Sequence, residues 1–324
     1  MLEYKHGKVF SRGDIMDSIL PMNHAKKDIV LIGEILIDVI QTEHRQVNLF
    51  GGSPANITLN LKKLGRNPLL YACLCQDHYG EYLKKQLDDH AVDMNLIRFE
   101  QCETTRVYIN KSEGSPDVEF DRSSDYLLPY TSKLEDAIKN ANILHFSYWG
   151  LSKMPSKEML LKAMQVAKEH GVLIGFDPNY HPALESEESL GLDRIKDLMT
   201  YIDIMKPSMD DSIRLFGPGY SKEEYVKKYT DLGVDLVIMT LGKDGLIASY
   251  KGQIIEYPSM ATNVVDVTGA GDAFYAGLYT GLLEEFPVKK AIQLGLACSA
   301  YNLREIGALT KLPSVKTIQE EFKI

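Results

Sequence analysis

Positive charge is the first thing in short supply. The chain carries 36 Lys and Arg against 45 Asp and Glu, a net charge of −9 with His neutral. It therefore has no global positive field to hold a polyanion, and nucleic acid is not expected as a main partner. A small phosphorylated ligand stays open, because a few local amides and one or two basic side chains can bind it against the net charge. Cysteine is scarce as well: Cys73, Cys75, Cys102 and Cys298 are too few and too scattered for a disulfide framework or a paired metal site. That usage reads as a protein of the reducing cytosol. Long apolar runs are also missing. The stretch from Ile29 to Ile40 is broken by Glu34 and Asp38 and falls short of the about 18 apolar residues a spanning helix needs, so no signal peptide or membrane anchor is expected. There is no internal repeat, heptad pattern or low-complexity tract, which excludes solenoids and coiled coils.

What is present is the ordinary material of a globular protein: 324 residues, 44% hydrophobic and 25% charged. Such a chain can bury a full core as one large α/β unit or as two domains. Residues 1–27 are polar, mixed in charge and without sustained periodicity, and are set apart as an N-terminal extension, with the fold expected to begin at Asp28. From there short β-branched runs alternate with helical patterns. Ile29–Ile32, Leu69–Tyr71, Ile143–Phe146, Val172–Phe176, Ile202–Met205 and Leu236–Met239 read as strands. Stretches from Ser53, from Tyr79 to Leu87 and from Lys157 to Lys168 read as helices. This alternation predicts a largely parallel sheet covered by helices on both faces.

Residues 97–122 break the rhythm. Thr104–Asn110 and Asp117–Arg122 read as two strands joined by the turn-rich Lys111 to Pro116, which predicts a small antiparallel flap. The last third is helical, over Ala270–Glu285, Val288–Arg304 and a short stretch after Pro313.

Two segments carry chemistry. In Asp266-Val267-Thr268-Gly269-Ala270-Gly271-Asp272-Ala273-Phe274, two glycines flank an alanine just before a helical run. The backbone can turn tightly there and aim several N–H groups at one point on the helix axis, where the dipole favours an anion. Asp272 follows closely enough to face the same anion and take the proton of an attacking hydroxyl, although a carboxylate that merely complements the dipole explains it too. In Gly51-Gly52-Ser53-Pro54-Ala55-Asn56, an N-cap serine and a proline at the first helical position account for Gly51 to Pro54 as a helix start. They do not account for Asn56, a poor helix former whose amide could bond a bound hydroxyl. Asp38 stands in a strand that otherwise reads as core, where a sugar diol or a strand-end position would each explain it.

These two segments, in this order, resemble the signatures of the PfkB, or ribokinase-like, family of carbohydrate kinases, with the glycine-rich run after Asp266 matching the family pattern D-x-T-G-A-G-D. The similarity extends from about Ile29 to Pro313 and is nearest to the fructokinases. The resemblance implies a three-layer α/β/α sandwich with a mainly parallel sheet, and a small β-sheet lid formed by about 97–122 and part of 34–50. It implies ATP as donor and Mg²⁺ bridging its phosphates. Asp272 would be the catalytic base, and Gly269, Ala270 and Gly271 the anion hole. Asp38, Gly51, Gly52 and Asn56 would hold the sugar, and the lid would close over it and form a homodimer contact. Nucleotide contacts carry over to Thr240, Gly242 and Gly245 and to Lys206 and Ser208. Asp211 stands where many members organise Mg²⁺, with Ser208 in place of the family's Asn. A monovalent cation, K⁺ in many relatives, would sit at the loop of Asp266 and Thr268 near Gly307.

The choice of sugar rests on side chains. Phe120 to Leu128 resembles the segment after the lid in fructokinases, with Arg122 as a sugar contact or a solvated lid charge. Phe176-Asp177-Pro178-Asn179 resembles a run shared with ketodeoxygluconate kinases, and Asn179 and Tyr108 are further candidate sugar contacts. An acidic sugar would need arginines. Asn110 and His181 stand where ketodeoxygluconate kinases have them, although Arg106 is near. The expectation is a neutral ketohexose, fructose converted to fructose 6-phosphate. The alternatives are 2-keto-3-deoxygluconate, a nucleoside, or a catalytically idle sugar-binding regulator on the same scaffold.

Overall fold

The computed structural model describes residues 16–20, 22–23, 26–41, 46–110, 117–185 and 191–324. In chain order the strands are β1 (Lys27–Ile32), β2 (Leu36–Gln41), β3 (Gln46–Gly51), β4 (Leu69–Tyr71), β5 (Cys73–Cys75), β6 (Arg98–Glu100), β7 (Arg106–Asn110), β8 (Asp117–Asp121), β9 (Ala141–Ser147), β10 (Leu173–Asp177), β11 (Ile204–Met205), β12 (Leu236–Thr240), β13 (Leu246–Tyr250) and β14 (Gln253–Tyr257). The helices are α1 (Ser53–Lys63), α2 (His78–Asp89), α3 (Ser132–Lys139), α4 (Trp149–Ser152), α5 (Ser156–Glu169), α6 (Gly191–Ile195), α7 (Met209–Phe216), α8 (Lys222–Asp231), α9 (Ala270–Leu283), α10 (Val288–Asn302) and α11 (Val315–Phe322).

The main sheet runs β14-β13-β12-β11-β10-β9-β1-β4. Its strands from β4 to β12 are parallel, and β13 and β14 close one edge as antiparallel hairpins. Alternation along β1 shows why helices must cover both faces. Ile29 and Leu31 enter one core with residues of α1, α9 and α10, and Val30 and Ile32 enter the other with residues of α3, α5 and α8. All of β9 is buried, His145 included. The expected three-layer arrangement is therefore present. The strand expected at Ile202–Met205 is shorter, because a 3-10 turn over Lys196–Tyr201 delivers Ile202 and only Ile204 and Met205 pair.

The lid is a separate sheet of order β3-β2-β7-β8. The β7–β8 hairpin is antiparallel as expected, and its turn from Lys111 to Pro116 lies outside the described residues. The flap does not use the whole of 97–122. Residues Arg98–Glu100 pair instead with β5 in a two-stranded sheet, and β2 gives β7 a parallel neighbour.

That small sheet corrects the reading of the cysteines. Cys75 and Cys102, 27 residues apart, form a disulfide with their Cα atoms 5.1 Å apart. The parallel pairing of β5 with β6 aligns Cys75 with Glu100 and so brings the next turn alongside, a proximity that spacing alone does not reveal. Cys73 and Cys298 are free and buried.

Residues ahead of β1 also contact the fold. Pro287 precedes α10 and has no side-chain hydrogen bond to offer it, so the first-turn N–H groups need acceptors from elsewhere. The extension supplies them: Val288 N donates to Ser18 O and Lys289 N to Met16 O, at 3.0 and 2.8 Å. Met16 is itself buried.

Candidate active site

Two helix starts meet over the carboxyl ends of the parallel strands. At the first, β3 ends at Gly51 and the chain turns at Gly52, whose φ of 101° suits glycine and whose Cβ, were there one, would lie 2.4 Å from Glu34 O. Gly52 is thus the N-cap, and the expectation that Ser53 caps the helix is corrected. Ser53 is the first helical residue, and its hydroxyl donates to Asp272 Oδ1 at 2.6 Å. One turn on, Asn56 Nδ2 donates to Asp272 Oδ2 at 2.8 Å. Asn56 Oδ1 is buried without a partner. The amide that the sequence singled out therefore holds Asp272 with one end and leaves the other open.

At the second helix start, Gly269 adopts a left-handed φ of 74°, and a side chain there would overlap Ala308. The first-turn N–H groups of Gly271 and Asp272 have no main-chain acceptor among the described residues. Lys206 reaches in from the end of β11, its ammonium 3.1 Å from where a Cβ on Gly271 would stand. The missing side chain at 271 leaves a small space lined by amides and one ammonium, a cradle for an anion.

Acidic groups crowd this point. Asp38 on β2 lies over Gly51, where a Cβ would come within 2.5 Å of its carboxylate. Burial, followed by the charge of Asp272, pushes Asp38 up to about 7. Asp177, at the end of β10, pairs with Lys206 at 3.3 Å, and burial still lifts it to about 7. Burial raises Asp272 as well, opposed by the Ser53 and Asn56 hydrogen bonds and by Lys206. Glu34, between β1 and the lid, accepts from Ser53 N at 3.2 Å and Ser147 Oγ at 2.8 Å, and burial pushes it to about 8. Behind the cluster, His145 Nδ1 meets Tyr279 Oη at 2.8 Å. Burial and Lys206 drive that imidazole down to about 3, so it stays neutral. Glu34, Ser53 and Asp177 were not among the sequence candidates. Their traces were a carboxylate interrupting an apolar run and an Asp at a strand end.

The nucleotide and cation candidates gather on the other side. Thr240 ends β12, and its N–H donates to Pro207 O, which sets it beside Lys206 and Ser208. Gly242 and Gly245 form the turn into β13, and a Cβ on Gly245 would meet Tyr257 O at 2.1 Å. Ser208 and Asp211 make a capping box at α7: Asp211 Oδ2 accepts from Ser208 N and Oγ, and Oδ1 accepts from Tyr180 N. Asp266 Oδ1 accepts from Thr268 N and Oγ1, and Oδ2 from Gly307 N. The three residues named for a monovalent cation do come together, but the Asp266 oxygens are already engaged. No group of three potential metal-binding side chains occurs among the described residues. A divalent cation here would rely on phosphate oxygens and water.

Three sugar candidates stand differently. Arg122 is neither a solvated charge nor free for a ligand. Its guanidinium is 4% exposed, donates to Asp125, Ser152 Oγ and Trp149 O, and stacks on the Trp149 ring. Asn179 is exposed with a φ of 35°. Tyr108 lies opposite Val39 in the lid, half-buried. Arg106 is paired with Glu103 and Asp121, and the Asn110 side chain lies outside the described residues.

Known proteins resemble this chain in sequence and fold. The chain matches the family described as pfkB family carbohydrate kinase over residues 26–315. It is 40% identical over 306 residues to an ATP-dependent 6-phosphofructokinase of Thermoanaerobacterium thermosaccharolyticum, across 92% of this chain and 95% of that one. The solved fructokinase of Halothermothrix orenii is 38% identical, with a TM-score of 0.74 over 83% of this chain and 97% of that chain. A fructokinase from Vibrio cholerae O395, solved with fructose, ADP and a calcium ion, superposes with a TM-score of 0.80 over 91% of this chain and 99% of that one; at 24% identity it speaks for the fold alone. No helix among the described residues is long and apolar enough to cross a membrane.

Proposed function

Because the chain belongs to the pfkB family of carbohydrate kinases, we propose that it moves the γ-phosphoryl group of ATP to a primary hydroxyl of fructose, forming fructose 6-phosphate and ADP. The observation that carries the chemistry is Asp272, a buried carboxylate held by Ser53 and Asn56 beside an amide-lined cradle. In this reading Asp272 takes the proton of the acceptor hydroxyl. The freed oxygen attacks the γ-phosphorus as the bond to the β-bridging oxygen breaks. The N–H groups of Gly271 and Asp272 and the Lys206 ammonium stabilise the charge in transfer. Asn56 Oδ1 and Asp38 are left to accept hydrogen bonds from the sugar, since neither has a donor among the described residues. When bound, a divalent cation on the triphosphate would neutralise phosphate charge; among the described residues no cluster of three carboxylates is set aside for it. A second copy packed on the lid, and a requirement for K⁺, belong to the same reading.

The acceptor is argued from charge. Around Asp272 stand Glu34, Asp38 and Asp177 against one ammonium, and that ammonium is already paired. Arg106 and Arg122 are paired as well. A neutral sugar suits this field better than an anionic one. The relative named as a 6-phosphofructokinase favours a second reading, in which the acceptor is fructose 6-phosphate. ADP release with ATP and Mg²⁺ against fructose, fructose 6-phosphate, 2-keto-3-deoxygluconate, ribose and adenosine, with K⁺ or Na⁺, tests both. Fructose is expected to give the highest kcat/KM. A larger value for fructose 6-phosphate overturns the charge argument, and no turnover with any acceptor overturns the kinase reading.

A further inference from the structure

We infer that Ser53 is a positioning residue for the base: its hydroxyl locks the plane of the Asp272 carboxylate and keeps that carboxylate ready to accept a proton. This rests on the reading of Asp272 given above. Ser53 holds a place where a hydroxyl is not needed to cap the helix. Gly52 already caps α1, and no side-chain cap bond is made there. The Ser53 Oγ hydrogen instead goes to Asp272 Oδ1 at 2.6 Å, across 219 residues of sequence. Its main chain is fixed separately, by Glu34 Oε1 on its N–H, and Glu34 is fixed in turn by Ser147 on β9.

Ser53 and Asn56 lie three residues apart and so project from one face of α1. Each takes one oxygen of the same carboxylate. Two donors on two oxygens restrain rotation about the Cβ–Cγ bond more tightly than Asn56 alone would. The groups that face Asp272 from elsewhere cannot substitute. Asp38 on β2 repels it, and Asp177 on β10 is tied to Lys206. Lys206, from the loop after β11, attracts it without a direct hydrogen bond. Ser53 is thus the hydroxyl donor that holds this carboxylate in place against burial and a neighbouring acid.

The test is Ser53→Ala, with Ser53→Thr returning the hydroxyl. Ser53→Ala is expected to lower kcat about 10- to 100-fold while KM for the sugar changes less than about threefold, since a hydrogen bond to a charged group is lost at the base and not at the substrate. The acid limb of the kcat/KM profile is expected to move up by about one pH unit. Ser53→Thr is expected to recover both. Titration of Asp272, followed by its carboxyl carbon-13 shift in wild type and Ser53→Ala, reads the same displacement without turnover, so it holds even if the wild-type chain phosphorylates none of the sugars. That last result would overturn the functional reading, not the role of Ser53. An unchanged titration and acid limb in a folded Ser53→Ala, or a loss of kcat with no shift, overturns the inference. If Ser53→Ala does not fold, Ser53→Cys, close in size and a weak donor, must give an intermediate limb; an unshifted one counts against it.

Discussion

The two sides of the cleft differ in whether every buried acceptor has a donor: Asp272 and Glu34 are satisfied on the acceptor side, but Asp38 and Asn56 Oδ1 beside them are not. On the nucleotide side Asp211 and Asp266 have both oxygens taken by N–H and O–H donors within a few elements of them. On the acceptor side neither Asp38 nor Asn56 Oδ1 has a hydrogen-bond donor among the described residues, and the one ammonium is paired with Asp177. A satisfied carboxylate shapes a loop or caps a helix. A buried carboxylate that is left short of donors costs stability, and such a cost is tolerated where a ligand will supply what is missing.

The sharpest way to break that contrast is Asp272→Asn. The amide keeps the shape but cannot take a proton, so kcat should fall by roughly 10²–10⁴ with the fold intact by circular dichroism. Undiminished turnover would move the base elsewhere. Lys206→Met comes next. It leaves Asp177 buried and unpaired and strips the cradle of its only side-chain cation among the described residues, so kcat should fall by about 10- to 100-fold and Tm by several degrees. Turnover at the wild-type level would separate the ammonium from the phosphoryl path.

Much of this contrast was legible from residue types. The glycines at 269 and 271 and the acid at 272 announce an anion site, because the backbone geometry they permit is local. The strand and helix alternation is equally local, and β1, β9, α5 and α9 fall where periodicity puts them. The Ser53–Asp272 bond spans 219 residues and was not legible, since a serine before a proline reads first as a cap. The Arg122–Asp125 pair was missed for a different reason. Its burial comes from Trp149 and Ser152 on another segment, so a lid charge that reads as solvated is in fact enclosed. The disulfide likewise depends on a parallel pairing of β5 and β6 that no sequence distance encodes.

On the satisfied side, Asp211→Ala should act on stability more than on turnover. It removes the capping box of α7 and leaves Tyr180 N without its acceptor, a loss of about 1–3 kcal/mol in urea melts. kcat should change only a few-fold. A collapse of kcat comparable to that of Asp272→Asn, in a protein of normal stability, would place Asp211 among the working acids and erase the contrast.

The smallest effect on turnover is expected from Glu34→Gln, which separates a structural acid from a working one on the acceptor side itself. The folded chain holds the Glu34 proton up to about 8, against an ordinary value of 4.5. Between those values the unfolded chain has released it and the folded chain has not. The stabilising contribution is therefore complete below about 4.5 and is lost as pH rises toward 8. Asp38 and Asp177 act in the same direction up to about 7. His145 acts oppositely, losing stability as pH falls from 6.5 toward 3. Glutamine keeps an acceptor for Ser53 N and a polar partner for Ser147 but does not titrate. Glu34→Gln should therefore gain on wild type by about 1 kcal/mol per pH unit between pH 5 and 8, with turnover at pH 7 within about threefold of wild type because Ser53 stays in place. A stability difference that does not vary over that range would mean that Glu34 is ionised throughout, a structural acid whose charge adds to the field set against an anionic sugar.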